Sequence, residues 1–172
     1  ELSTKSGVKK VLFVSSSCVY GNNPVMVEDG PTGPFETPYA LTKYLGEQYC
    51  QYWAAHHDLD VVIVRLFNSF GPGEYPGRYR NVIPNFFQLA MKRKPLPITG
   101  SGDEIRDFNY VDNTVQGMTR AMFSRTAPAD TFNIGSGKGT KIVDVAALIN
   151  EIAGNRAGLE FRPRRNWDQV TK

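Results

Sequence analysis

The chain has 172 residues, 41% of them hydrophobic, 12% aromatic and 22% charged, with a formal net charge of +3. That is enough for one ordinary domain with a real core, and it excludes collagen-like, low-complexity and globally disordered classes. No apolar run approaches the ~18 residues of a membrane span, and so weak a positive charge implies no nucleic-acid partner.

In chain order, Val8 to Val14 is a nearly continuous apolar run interrupted by Lys9-Lys10 and ending at Ser15-Ser16-Ser17. It predicts a buried strand whose end opens into a loop. Thr37 suits a helix N-cap and Pro38 the first turn, so a helix is expected from there to about His57. Leu41 and Leu45 line one face of it, with Trp53 further along. Val61 to Phe67 is a second β-branched run and a second buried strand. Strand, helix, strand is a βαβ unit with parallel strands and a right-handed crossover. Beyond Gly71-Pro72-Gly73 the pattern predicts a helix over Val82–Lys92, a short edge strand at Leu96-Pro97-Ile98 and a helix over Val111–Phe123. A strand at Thr131–Ile134, a helix over Ile142–Ala153 and a last strand at Leu159–Phe161 complete it. The class is α/β, without internal repeats.

Cys18 and Cys50 match neither a disulfide framework nor a zinc pattern, and the adjacent His56 and His57 point about 100° apart on a helix, so no metal site is expected. The absence of a signal peptide and of any Asn-x-Ser/Thr acceptor favours a cytoplasmic protein. The basic clusters Lys92-Arg93-Lys94 and Arg162 to Arg165 read as solvated surface.

Tyr39-Ala40-Leu41-Thr42-Lys43 is the most informative stretch. The i, i+4 spacing puts phenol and ammonium on one helix face. A phenol is a poor base at neutrality, but a nearby ammonium favours the phenolate, so the pair makes a workable proton acceptor for a sugar hydroxyl. Ser15-Ser16-Ser17 stands at the end of the preceding strand, where ligands bind in open α/β sheets. A serine there could donate to the same hydroxyl oxygen.

Val14-Ser15-Ser16-Ser17-Cys18-Val19-Tyr20-Gly21, Pro38 to Lys43 and Arg65-Leu66-Phe67-Asn68-Ser69-Phe70-Gly71-Pro72 together resemble the extended short-chain dehydrogenase/reductase family. The likeness is narrower to its nucleotide-sugar epimerases and dehydratases. Arg106 to Asp112 and Phe132-Asn133-Ile134-Gly135 continue it in order over essentially the whole chain. The resemblance implies NAD as cofactor, a nucleotide-sugar substrate (a UDP-sugar above all) and a homodimeric parent. It implies Ser16 as the catalytic hydroxyl, Tyr39 as the base, and Lys43 holding the nicotinamide ribose, with Ser15 and Phe67 also against the cofactor. Asn68, Asn81, Val82 and Pro97 would lie against the sugar nucleotide. Arg106 would grip the pyrophosphate, and Arg165 with Asp168 would complete the nucleotide site.

Dehydratases of this kind carry Asp-Glu where this chain has Ser17-Cys18, so water elimination is disfavoured. Cys18 raises the alternative of a 3,5-epimerase of a GDP-sugar, but the Lys or His that would partner it is missing from Gly73 to Gly77. Gly135-Ser136-Gly137-Lys138-Gly139-Thr140 has the wrong spacing for a phosphate loop.

No Gly-x-Gly-x-x-Gly fingerprint is present. By the resemblance, about a hundred residues carrying the adenosine site of the dinucleotide fold are absent upstream. The expected organisation is a second half of a Rossmann domain over 1–80 and a sugar-nucleotide lobe over 81–172, with the segment around 106–135 returning to the core domain. The reading is C4 epimerisation of a UDP-sugar by the parent through a transient 4-keto sugar, with this chain inactive alone. The alternatives are the Cys18-assisted epimerase, another nucleotide-sugar dehydratase or decarboxylase, and a truncated domain that only binds a sugar nucleotide or a partner.

Overall fold

A computed structural model of the chain describes residues 2–77, 81–124 and 129–164. In chain order its elements are α1 (Leu2–Lys5), β1 (Lys10–Ser16), a 3-10 turn (Ser17–Tyr20), α2 (Pro38–His56), β2 (Asp60–Leu66) and β3 (Asn68–Phe70). There follow α3 (Val82–Met91), β4 (Leu96–Thr99), β5 (Ile105–Tyr110), α4 (Val111–Phe123), β6 (Asp130–Ile134), β7 (Gly139–Lys141), α5 (Ile142–Ile152) and β8 (Leu159–Arg162). Two compact units result: Glu1–Phe67 with Asp112–Gly135, and Asn68–Val111 with Ser136–Lys172.

The first unit is a parallel sheet in the order β1-β2-β6. Its middle strand is covered on both faces, which is why its sequence is a continuous β-branched run rather than an alternation. Val62 and Val64 pack with Leu12, Val14, Met118, Ala121 and Ile134. Val61 and Ile63 pack on the other face with Val11, Phe13, Cys50, Trp53 and Ala54. Burying each such valine or isoleucine contributes about 1.5–3 kcal/mol. The βαβ unit and its parallel register, Lys10 opposite Asp60 through Ser16 opposite Leu66, are as expected from sequence.

Helix α2 corrects one expectation. Thr37 caps it, its Oγ1 accepting from the Ala40 amide at 3.2 Å, and Pro38 opens it. Yet Leu41 and Leu45 are exposed, and the fully buried residues are Ala40 and Glu47. The inward stripe is Ala40, Lys43, Glu47, Cys50 and Ala54, spaced at i, i+3 and i+4. Its polar members have partners on the sheet, so hydrophobicity alone selects the wrong face.

The second unit holds a sheet in the order β3-β5-β7, with β3 and β5 parallel and β5 and β7 antiparallel, and a two-stranded parallel sheet of β4 and β8. Pro97 is tolerated because β4 has an open side that needs no ladder donor. Phe86 and Ala90 of α3, Leu96 and Ile98 of β4, and Val145, Ala146 and Ile149 of α5 form its core. The strands β3, β5 and β7 are additions to the sequence-based element list. Arg93 donates to the carbonyls of Ala153 and Gly154 just beyond α5, so this basic side chain fastens the C-terminal end of that helix. Among the described residues no helix is long and apolar enough to cross a membrane.

Candidate active site

In the first unit the chemistry-bearing residues sit at the carboxyl end of β1 and the start of α2. Lys43 Nζ donates to the Val14 carbonyl at 2.8 Å and lies 5.7 Å from the centre of the Tyr39 ring. Tyr39, in the first turn of α2, is 53% exposed and therefore open to a ligand.

The three serines have distinct environments. Ser15 is buried and its Oγ donates to Glu47 Oε1 at 2.5 Å. Ser16 caps the 3-10 turn, its Oγ accepting from the Cys18 amide at 3.3 Å, which leaves its own proton available to donate. Ser17 is fully buried, and its Oγ has no hydrogen-bond partner among the described residues. Cys18 is 8% exposed. Phe67 follows β2, its amide donating to the Ile134 carbonyl at 3.1 Å.

Beneath this site runs a buried polar network that the sequence reading missed. Arg65 donates from Nε to Glu47 Oε1 at 3.0 Å and from Nη2 to Glu47 Oε2 at 2.7 Å. Its Nη1 reaches the Tyr20 hydroxyl at 2.9 Å and the Glu28 carbonyl at 3.0 Å. Tyr20 donates to Asn133 Oδ1 at 2.8 Å, and Asn133 in turn donates to the Met26 carbonyl and, through its amide, to Glu28 Oε1. Burial alone would lower the Arg65 pKa, but the hydrogen bonds with Glu47 and Tyr20 outweigh it and raise the value, so the guanidinium is permanently charged. Burial pushes the Tyr20 phenol up, with Arg65 pulling the other way. Burial also pushes up the Cys50 thiol, and the Glu47 carboxylate adds to it.

In the second unit, Asn68, Asn81, Val82, Pro97 and Arg106 line one cavity of about 830 Å³. β3 and β5 run side by side and carry Asn68 and Arg106; the Asn68 Nδ2 donates to the Asp107 carbonyl at 3.0 Å. Asn81 precedes α3 without capping it, its Nδ2 donating instead to Glu74 Oε1 at 2.9 Å. The helix N-terminus therefore keeps its anion-attracting amides uncapped by a side chain. Two further charged residues line the cavity: Glu104, buried, and Arg162, paired with Glu160 at 2.9 Å. Arg162 is exposed, as its basic cluster predicts, and its position on β8 also brings it to the cavity wall. Arg165 and Asp168 lie outside the described residues.

The loop resembling a phosphate cradle is occupied by its own chain. The Asp107 carboxylate accepts from the Ser136 amide and hydroxyl at 2.8 and 2.6 Å and from the Gly137 amide at 2.8 Å. Among the described residues no group of His, Cys, Asp and Glu is arranged to hold a metal.

Residues 1–135 match the model of the NAD dependent epimerase/dehydratase family. An epimerase structure from Methanothermobacter thermautotrophicus superposes with a TM-score of 0.91 at 42% identity, over 99% of this chain and 53% of that one. A UDP-glucose 4-epimerase from Thermotoga maritima, solved with UDP-glucose, gives 0.89 at 31% identity, over 99% and 55%. A UDP-N-acetyl-alpha-D-glucosaminuronate decarboxylase from Bacillus cytotoxicus is 37% identical over 91% of this chain and 50% of its own length. The chain thus spans about half the length of the curated relatives it matches, which comprise nucleotide-sugar epimerases, decarboxylases and dehydratases. The chain belongs to the NAD-dependent epimerase/dehydratase family, within the short-chain dehydrogenase/reductase superfamily.

Proposed function

We propose that the chain is the proton-transfer and substrate-binding part of a longer NAD-dependent epimerase that inverts C4 of a UDP-sugar. The observation that carries the reading is the cavity of the second unit. It gathers Asn68, Asn81, Val82, Pro97 and Arg106, residues scattered over some forty positions, around a volume suited to a nucleotide sugar. Arg106 and the uncapped start of α3 supply the positive charge that a diphosphate needs. In the first unit, Tyr39 takes the proton of the sugar hydroxyl while Ser16 donates a hydrogen bond to the same oxygen and orients it. The negative charge that forms on the phenol meets the Lys43 ammonium and the positive end of α2.

NAD, when bound, supplies reversible hydride acceptance, which turns the C4 alcohol into a ketone and back. Exposed Tyr39 and its neighbour Lys43 fit the nicotinamide end, and Phe67, just after β2, is read as a further cofactor contact. Ser15 fits less well, since its buried hydroxyl is already given to Glu47. The glycine-rich pyrophosphate loop is not in this sequence, so this chain alone binds the sugar nucleotide and does not turn it over.

Epimerisation is favoured over elimination or decarboxylation because Ser17 and Cys18 place no carboxylate beside Ser16 and are themselves buried. A thiol-assisted 3,5-epimerase is disfavoured because Gly73 to Gly77 offers no Lys or His to partner Cys18. The parent is read as a homodimer, which the exposed row Leu41, Leu45 and Tyr49 on α2 supports. Calorimetric titration of the chain with UDP-glucose tests the site. Saturable heat that UDP competes away is expected, and no heat at millimolar ligand would overturn the reading of the cavity.

A further inference from the structure

We propose that Glu47 and Arg65 are positioning residues, whose buried pair holds the serine-bearing end of β1 in fixed register on the helix that carries Tyr39 and Lys43. This rests on the reading of Ser16, Tyr39 and Lys43 given above.

Three observations carry it. First, Lys43 and Glu47 are successive rungs on the inward face of α2, four residues apart, and they engage successive residues of β1. Lys43 takes the Val14 carbonyl and Glu47 the Ser15 hydroxyl. Because alternate side chains of a strand point to opposite faces, anchoring Ser15 inward dictates where Ser16 points. Second, the same guanidinium that grips Glu47 with two donors also holds the Tyr20 hydroxyl and the Glu28 carbonyl. It thereby pins the segment that leads from the Ser16 turn back to Thr37, the cap of the Tyr39 helix. Third, the pair is nearly sealed from solvent, with Glu47 at 0% and Arg65 at 5% exposure. Buried ion pairs of this kind are often matched in stability by well-packed apolar residues of similar volume. Stability alone therefore does not require charge here, whereas directional bonds from one helix to two strands and a loop do.

The deciding variant is the apolar pair Glu47→Leu with Arg65→Met. In the full-length protein the expected result is a folded enzyme, its Tm lowered only by the bonds lost at Ser15, Tyr20 and the Glu28 carbonyl, with a kcat lower by about 10²-fold, the scale of a misplacement near 1 Å, and a KM within about threefold of wild type. In the 172-residue chain, Lys43 should become several-fold more reactive toward an amine-acylating reagent followed by peptide mass, and the Cys18 amide should exchange faster. Wild-type kcat or wild-type Lys43 labelling in the folded variant would overturn the proposal. The isosteric Glu47→Gln, measured in the same way, decides the matter if the apolar pair does not fold. An inactive wild-type protein would refute the epimerase reading, while Lys43 labelling still decides the positioning role.

Discussion

The Lys43 ammonium donates to the Val14 carbonyl at 2.8 Å, so the residue that stands one turn from Tyr39 is fastened to the strand that ends in Ser15 and Ser16. The bond leaves Tyr39 half exposed beside a fixed positive charge. Removing the phenolic hydroxyl should therefore cost chemistry and little else. Tyr39→Phe is expected to reduce kcat of the full-length protein by about 10²–10⁴-fold while stability stays within about 0.5 kcal/mol of wild type. A thermal melt and a turnover assay on the same sample check both halves.

Arg106 is the cavity's candidate for the diphosphate. Replacing it by alanine removes a charge-assisted contact worth about 1.5–3 kcal/mol, so UDP-sugar affinity should fall roughly 10–100-fold in calorimetry. Equal affinities of wild type and Arg106→Ala would remove Arg106 from the site.

Tyr20 ties alkaline stability to the buried network. Burial raises its folded value above the ordinary one. Its contribution is therefore fully present below the unfolded value near 10 and is lost as pH rises through the folded value. Tm should decline above about pH 10 more steeply in wild type than in Tyr20→Phe. The variant should begin from a stability lower by about 1–3 kcal/mol, having lost the hydrogen bonds to Arg65 and Asn133. Parallel alkaline slopes in the two proteins would contradict this.

Gly46 sits where α2 crosses the Phe13 ring, and a Cβ there would overlap the ring. Helix propensity alone favours alanine by up to about 1 kcal/mol, whereas overpacking costs about 1–3 kcal/mol. Gly46→Ala is expected to lower the unfolding free energy measured by urea titration, and Phe13→Leu added to it should recover part of the loss. A stabilised Gly46→Ala would mean that the ring moves aside freely.

How much of this was legible in the sequence depends on whether each residue's partner is local. Val61 to Val64 announce a doubly covered strand, and Thr37-Pro38 announce the helix start, because those signals are complete within a few residues. β5 was not legible: Arg106-Asp107-Phe108-Asn109-Tyr110 has too polar a texture for a strand. Its polar groups are matched by distant segments, such as Asp107 with Ser136 and Gly137. Likewise Leu41 and Leu45 share one face of α2 as their spacing predicts, but nothing local marks that face as the exposed one or Glu47 as buried. Only the arrival of Arg65, eighteen residues on, makes the polar face the buried one. The likeness to a known family points to Asn68, Asn81 and Arg106, which line one cavity; nothing local points to Glu104, just before β5, or to Arg162, which reaches the same cavity once β8 pairs with β4.

The measurement that tests the central claim most directly is proton NMR of the full-length protein with UDP-galactose and NAD, following the anomeric signals. The account predicts that the UDP-glucose signal grows to an equilibrium reached equally from either sugar, with no loss of the C6 hydroxymethyl group. A 4-keto-6-deoxy product, release of carbon dioxide from a UDP-uronate, or no conversion at all by a protein that binds both ligands would contradict it.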